Sequence, residues 1–270
     1  MIRPYYSDEL VSLYHGDWRT LLPAGFRADL IVTDPPYGET SLDWDQWPTG
    51  WPAIAAKHSD AMWCWGSMRA FVAHSAEFSD WTFSQDLVWQ KHNGSGFHRD
   101  RFKRIHEHVV LWYRGRWADR WHEVPTTADA TRRTVRRKAR PPHTGHIGAH
   151  AYTSFDGGPR LVRSVIVAPS LHGTAINEAE KPVSINELLI SYACPPGGLV
   201  ADLFAGSCAT LVAARLAGRR AIGFERREQQ CERAALRLAQ LPLDLPIGSI
   251  AAPAGIADHL APGHRVQTGL

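Results

Sequence analysis

The sequence predicts an α/β protein built on a mostly parallel central sheet. Three observations point there. Apolar runs such as Leu30-Ile31-Val32 and Leu199-Val200-Ala201 are strand-length and bounded by turn residues. Segments with helical spacing alternate with these runs along the chain. Two of the strands end in a carboxylate, Asp34 and Glu225, as ligand-binding strands of open α/β sheets do.

The elements follow in order. Residues 28–34 read as a buried strand, and 51–59 as a short helix with Pro52 in its first turn. Ala61 to Trp65 is a second strand, stopped by Gly66, and 68–78 suits a helix. Phe83 to Trp89 and His108 to Tyr113 alternate as two more strands. From Arg114 to about Gly158 the apolar periodicity fades, and it resumes over Leu161 to Val167. Pro182 to Tyr192 is a helix. Leu199 to Phe204 is a strand, Ala205-Gly206-Ser207 a tight turn, and Thr210 to Ala217 a helix closed by Gly218. Arg220 to Glu225 is the next strand and 227–239 the next helix; the Pro-, Ala- and Gly-rich stretch from Leu241 reads as an extension.

Composition narrows the function classes. The chain has 270 residues, 44% hydrophobic and 21% charged, enough for a full core with an insertion. Its apolar runs are too short to cross a bilayer, and Met1 to Tyr6 lacks the apolar stretch of a secretory signal, so a cytoplasmic protein is expected. None of the four cysteines forms a CxxC pair and there is no HExxH, so no metal is expected. A net charge of +3 does not by itself identify a nucleic-acid partner. The positive excess sits in Arg132, Arg133, Arg136, Arg137, Lys138 and Arg140, a set suited to phosphates or simply to a solvated loop.

Two segments carry chemistry. Asp34-Pro35-Pro36-Tyr37 follows a strand, where ligands bind. Two prolines make a stiff turn with free carbonyls, Asp34 adds an acceptor, and Tyr37 adds a ring able to stack on a planar base. Such a set suits an exocyclic amino group; a structural Pro-Pro turn is the plain alternative. The second segment is the turn Phe204-Ala205-Gly206-Ser207 before a helix, with Glu225 about twenty residues on, placed to accept ribose hydroxyls. The spacing fits either NAD or S-adenosylmethionine, but the glycine cradle of a dinucleotide site is missing.

On these residues the chain resembles the amino-methylating DNA methyltransferases, the N4-cytosine/N6-adenine family. Asp34-Pro35-Pro36-Tyr37 matches the catalytic motif, and Asp202 to Thr210 matches the cofactor motif Asp-Pro-Phe-x-Gly-Ser-Gly-Thr-Thr. Glu180-Lys181-Pro182 resembles the Gln-Lys-Pro before it, and Gly223-Phe224-Glu225 the Gly-Ile-Glu after it. His15-Gly16-Asp17, Arg101-Phe102 and His106-Glu107-His108 also fit, so the likeness covers roughly 10–115 and 160–240. The catalytic motif comes first, which is the order of the β class; release-factor glutamine methyltransferases carry the reverse order.

The resemblance implies a Rossmann-like S-adenosylmethionine-dependent methyltransferase fold, circularly permuted, with an inserted recognition segment. It divides the chain into a catalytic half (1–113), a basic target-recognition insertion (114–160), a cofactor-binding half (161–240) and an extension (241–270). It assigns catalysis to Asp34, Pro35, Pro36 and Tyr37, and cofactor binding to Asp34, Lys181, Asp202, Phe204, Ala205, Gly206, Ser207 and Glu225. The six basic residues are expected to contact double-stranded DNA. Asp-Pro-Pro-Tyr favours adenine N6 over cytosine N4. Cys208, Ala209 and Leu203 depart from the motif, and a positive φ at position 208 would be costly for cysteine, which leaves a decayed DNA-binding relative as the alternative. A homodimer and a separate restriction endonuclease remain open. Trp63, Trp65, Trp89 and Trp112 are expected in the core, and Trp44 and Trp47 in a loop that could close over a base.

Overall fold

The structure, a computed structural model, describes residues 3–92, 99–136, 151–169 and 180–240. Thirteen strands are found there: β1 (Tyr6–Ser7), β2 (Val11–His15), β3 (Leu30–Thr33), β4 (Ala61–Gly66), β5 (Thr82–Gln90), β6 (His106–Tyr113), β7 (Thr126–Thr127), β8 (Arg133–Arg136), β9 (Ala151–Ser154), β10 (Arg160–Leu161), β11 (Val165–Val167), β12 (Leu199–Asp202) and β13 (Arg220–Glu225). The helices are α1 (Trp18–Leu21), α2 (Trp51–Ala55), α3 (Met68–Ala73), α4 (Val183–Ala193), α5 (Ala209–Leu216) and α6 (Glu228–Gln240).

Nine strands form one sheet in the order β1-β2-β13-β12-β3-β4-β6-β5-β11. The run from β2 to β4 is parallel throughout, and β6 is antiparallel to both neighbours. The order places β12 and β13, from late in the chain, between β2 and β3, from its beginning. Every residue of β3 and β4 is buried, as expected for parallel strands covered on both faces. Leu30, Ile31 and Val32 are fully excluded from solvent, each contributing about 1.5–3 kcal/mol relative to exposure. An aromatic wall joins Trp18, Trp51, Phe78 and Phe204, with Trp112 stacked on Phe78 at 4.6 Å. Trp63, Trp65 and Trp89 are buried as expected, and Trp112 is half-buried.

The helix expected over 68–78 is shorter. It ends at Ala73, and His74 leaves helical geometry at φ −112°, ψ 16°. A 3₁₀ turn over Ser75–Phe78 then carries Phe78 into the core. The run Leu161 to Val167 divides into β10 and β11, with only Ile166 of β11 partly covered. Residues 3–122 and 164–240 make up one compact unit in the described chain, and 123–136 with 151–163 another. The second unit consists of two antiparallel ribbons, β7 with β10 and β8 with β9. Residues from Leu241 onward lie outside the described residues. Among the described residues no helix is long and apolar enough to cross a membrane, and no cluster of His, Cys, Asp or Glu is arranged to hold a metal.

Neighbouring strands β3 and β12 are locked at their ends. The Thr33 hydroxyl donates to Asp202 Oδ1 at 3.0 Å, and Leu203 N–H donates back to Thr33 Oγ1 at 3.2 Å. Asp202 Oδ1 also accepts from Phe204 N–H at 3.1 Å. Asp202 is only 3% exposed, and burial pushes its carboxyl up to about 6. A raised carboxyl favours folding below its ordinary range near 4, and that contribution is lost as pH rises through 6. Above that pH, holding the charge costs about 3 kcal/mol. Asp202→Asn keeps the accepting oxygen without the charge. Its thermal midpoint should exceed that of the unmodified protein at pH 8 and converge with it toward pH 4, as read by circular dichroism; an unchanged midpoint at pH 8 would refute this account.

All four cysteines are buried and free. Burial pushes Cys194 and Cys231 up to about 12 and raises Cys64 and Cys208 well above the ordinary thiol range. At pH 8 the folded protein should therefore be inert to a thiol-specific disulfide reagent, and all four thiols should react on denaturation.

Candidate active site

Parallel strands expose their carboxyl ends at one edge, so β3, β12 and β13 bring Asp34, Asp202 and Glu225 to the same rim. Chain order alone separates the first from the other two by most of the molecule.

Asp34 opens the Pro35-Pro36 turn at the end of β3, with Pro35 buried beneath it. Its Oδ1 accepts from the Tyr37 hydroxyl and its Oδ2 from Lys181 Nζ at 2.5 Å. The Asp34 side chain retains 25% of its exposure, whereas Lys181 retains 6%. One face of the carboxylate is thus open. Lys181 Nζ also lies 3.3 Å from Glu107 Oε2, and the other Glu107 oxygen takes the Lys91 ammonium. Lys91, Glu107, Lys181 and Asp34 form a chain of alternating charge, with Lys181 5.7 Å from the centre of the Tyr37 ring and 5.8 Å from that of Trp65. Neither Lys91 nor Glu107 emerged as a site residue from the sequence. They sit on the β5–β6 hairpin, and half-buried alternation there reads as ordinary strand.

The electrostatics follow from this packing. Burial works against the Glu107 carboxylate, but Lys181 and Lys91 outweigh it and pull Glu107 down to about 2. Burial would lower Lys181, yet Asp34 and Glu107 raise it. Burial raises Asp34, Lys181 opposes it, and the charge of Glu107 adds to the rise. Burial, then Asp34 and Glu107, push the Tyr37 phenol well above its ordinary value, so it stays a donor to Asp34.

The stretch after the turn is organised by Asp45. Its Oδ1 accepts from Tyr37 N–H at 2.8 Å and Gly38 N–H at 3.0 Å, and its Oδ2 from Glu39 N–H at 3.0 Å and Thr40 N–H at 2.7 Å. Burial opposes the charge of Asp45, but these bonds pull its carboxyl below the ordinary range. Trp47 packs away from the site: it stacks on His74 at 4.0 Å and donates to Glu77. Trp44 is half-buried under the Arg227 guanidinium, 4.8 Å from the ring centre.

The second half of the rim is the 204–208 turn. Glu225 Oε2 accepts from Gly206 N–H at 3.0 Å, and Oε1 from Arg227 N–H at 2.8 Å. Cys208 takes φ 60°, the one left-handed non-glycine residue among those described. That conformation costs roughly 1–2 kcal/mol for a residue with a Cβ. Cys208 therefore carries strain at the entry to α5. Gly223 lets it sit close to β13: a Cβ there would lie 2.7 Å from Leu211 and 3.0 Å from Ala205. Ala205 and Ser207 are buried in the turn. The Phe204 ring faces the aromatic wall, against Trp18 and Trp51, so only its backbone belongs to the rim. Lys181 lies beside Asp34 rather than along this turn.

The basic set is only partly brought together. Arg132 N–H is held by Asp156 at 2.7 Å. Arg133 and Arg136 are exposed on β8, three residues apart in a strand and hence on opposite faces. Arg137, Lys138 and Arg140 lie outside the described residues.

Known proteins share the fold that carries this site. A family model described as DNA methylase, that of the N6/N4 methyltransferases, matches residues 28–236. The type II methyltransferase M.ScaI of Streptomyces caespitosus is 25% identical over 264 residues, covering 87% of this chain and 84% of that protein. The PvuII cytosine-N4-specific DNA methyltransferase has the same fold, with a TM-score of 0.60 at 15% identity over 91% of each chain. So does M1.HpyAVI in its complex with SAM, with a TM-score of 0.56 at 19% identity, covering 84% of this chain and all of that one. The match to the family model spans both strand ends and the turn between them; the chain belongs to the amino-methylating DNA methylases.

Proposed function

We propose that this DNA amino-methyltransferase acts on adenine N6 of a base turned out of the duplex, with S-adenosylmethionine as the methyl donor. The observation that carries the reading is the Asp34 carboxylate, clamped by Tyr37 and Lys181 yet open on one face. A carboxylate has about four lone-pair positions. Two are taken, which leaves acceptors for an amine N–H, and the Pro35 carbonyl supplies another. Aspartate at the head of this motif favours adenine.

The donor set fits the cofactor. Glu225 holds two backbone N–H groups and keeps acceptor capacity for ribose hydroxyls. Bound S-adenosylmethionine supplies an electrophilic methyl group. Asp34 and the Pro35 carbonyl hold the amine hydrogens, favouring a tetrahedral nitrogen whose lone pair is free of the ring. Tyr37 presents its ring to the base and holds Asp34 in place. Asp34, raised by burial, suits the role of accepting the proton that the methylated nitrogen releases. Placement carries much of the rate. The left-handed backbone at Cys208, where the motif carries glycine, supports an active enzyme over a decayed relative.

The test is transfer of labelled methyl groups to unmodified DNA, followed by digestion and mass identification of the labelled nucleoside. N6-methyladenine lost in Asp34→Ala is the expected result. N4-methylcytosine would move the assignment to cytosine, and no transfer with no cofactor binding would reject the enzyme.

Asp45 offers a second check. Asp45→Ala strips the acceptor from four N–H donors, each worth about 1–3 kcal/mol if left buried and unpaired. Methyl transfer should fall at least tenfold, on the order of 1.4 kcal/mol in barrier, while calorimetric affinity for S-adenosylmethionine stays within about twofold. Equal loss of both would mean that Asp45 supports the fold at large.

A further inference from the structure

Phe102 is completely exposed, at 101% of its reference surface. Scattered exposed apolar residues are common, but this one has unusual company. Arg99, Arg101, Lys103 and Arg104 surround it within six residues, all of them exposed. Asp100 pairs with Arg101 at 2.8 Å, but both side chains are more than half exposed. A pair so solvated contributes little and is readily exchanged for a phosphate.

The position of this segment is defined. Strand β5 runs parallel to β11 and antiparallel to β6, which in turn runs antiparallel to β4. The β5–β6 connection therefore opens at the same sheet edge as Asp34. Its base is closed by Lys91 N–H donating to the Ile105 carbonyl at 2.7 Å. Arg104 Nη1 donates to Glu39 Oε2 at 3.2 Å, and Glu39 also accepts from the Ser67 hydroxyl. Glu39 stands two residues beyond Tyr37. The hairpin that presents Phe102 is thus tied to the catalytic turn through Glu39, and its stem holds Lys91 and Glu107 of the charge chain.

We infer that Phe102 is the wedge that enters the DNA stack where the target base leaves it, with Arg99, Arg101 and Lys103 holding the phosphates on either side. This rests on the methyltransferase reading above. A base turned out of a duplex leaves a gap, and apolar side chains inserted at a base step occupy such gaps. A ring as exposed as Phe102, with no ring partner among the described residues, gains contact surface when another molecule supplies it. The flanking cations make a polyanion the matching partner.

The test compares Phe102→Ala and Phe102→Leu with the unmodified enzyme. The methylated position is first mapped with the unmodified enzyme. Short duplexes then carry that base either paired or opposite an abasic nucleotide, where it is already unpaired. On paired DNA, Phe102→Ala should lose about tenfold or more in methyl-transfer rate and Phe102→Leu much less, since leucine also wedges. Opposite the abasic nucleotide, Phe102→Ala should recover to within about twofold of the unmodified enzyme. Equal loss on both substrates, or no loss on either, would overturn the wedge. Failure of the unmodified enzyme to methylate any DNA would instead overturn the parent reading. The wedge is then judged by fluorescence anisotropy: tighter binding of an abasic duplex than an intact one, lost in Phe102→Ala, upholds it, and equal binding rejects it.

Discussion

The parallel pairing of β12 with β3, closed at its end by the Thr33 hydroxyl on Asp202, is the contact on which the rest depends. It makes one rim from two distant stretches of chain. Asp34 and Glu225 share a rim only because the late β12–β13 pair is seated between the early strands β2 and β3. Their mutual placement is then set by backbone hydrogen bonds rather than by a flexible loop.

A second constraint is charge. Asp34 sits beside a second half-buried carboxylate, Glu107, and two lysines make that tolerable. Lys181 faces both acids and Lys91 faces Glu107. A buried ion pair of this kind is not a simple source of stability, because desolvation offsets much of the attraction. What it offers is orientation: the Asp34 carboxylate is held by Lys181 while its side chain keeps a quarter of its exposure.

Much of the sheet could be read from the chain. Strands β3, β4, β12 and β13 are short apolar runs with terminal punctuation, and the continuous burial of β3 and β4 and of the carboxyl ends of β12 and β13 is the same physics seen from inside. Asp34, Tyr37, Lys181 and Glu225 stood out because their motifs are local. Glu107 appeared only within a motif and Lys91 not at all, since the charge chain they form with Lys181 depends on a hairpin meeting a residue far along the chain. Asp45 was equally hidden: nothing local distinguishes a carboxylate that gathers four amides from one in solvent. The helix break at His74 arises from the stacking of that ring on Trp47, a tertiary contact that propensity does not encode. At Cys208 the reading of the sequence was sharper: the glycine of the motif marks a left-handed position, and the cysteine occupies that conformation all the same.

The permuted strand order has a consequence for how the chain is made. During synthesis β2 and β3 emerge early, yet the edges that face each other across the future β13 and β12 find no partner until the last third of the chain appears. At ribosomal speeds of about 5–20 residues per second, that wait is on the order of ten to thirty seconds. For that interval the nascent chain carries two apolar strands with open edges, the arrangement most prone to pairing with another chain. Completion of the sheet from its middle, rather than growth at its rim, makes the biogenesis of this protein a matter of shielding a gap until its own carboxyl-terminal half arrives to fill it.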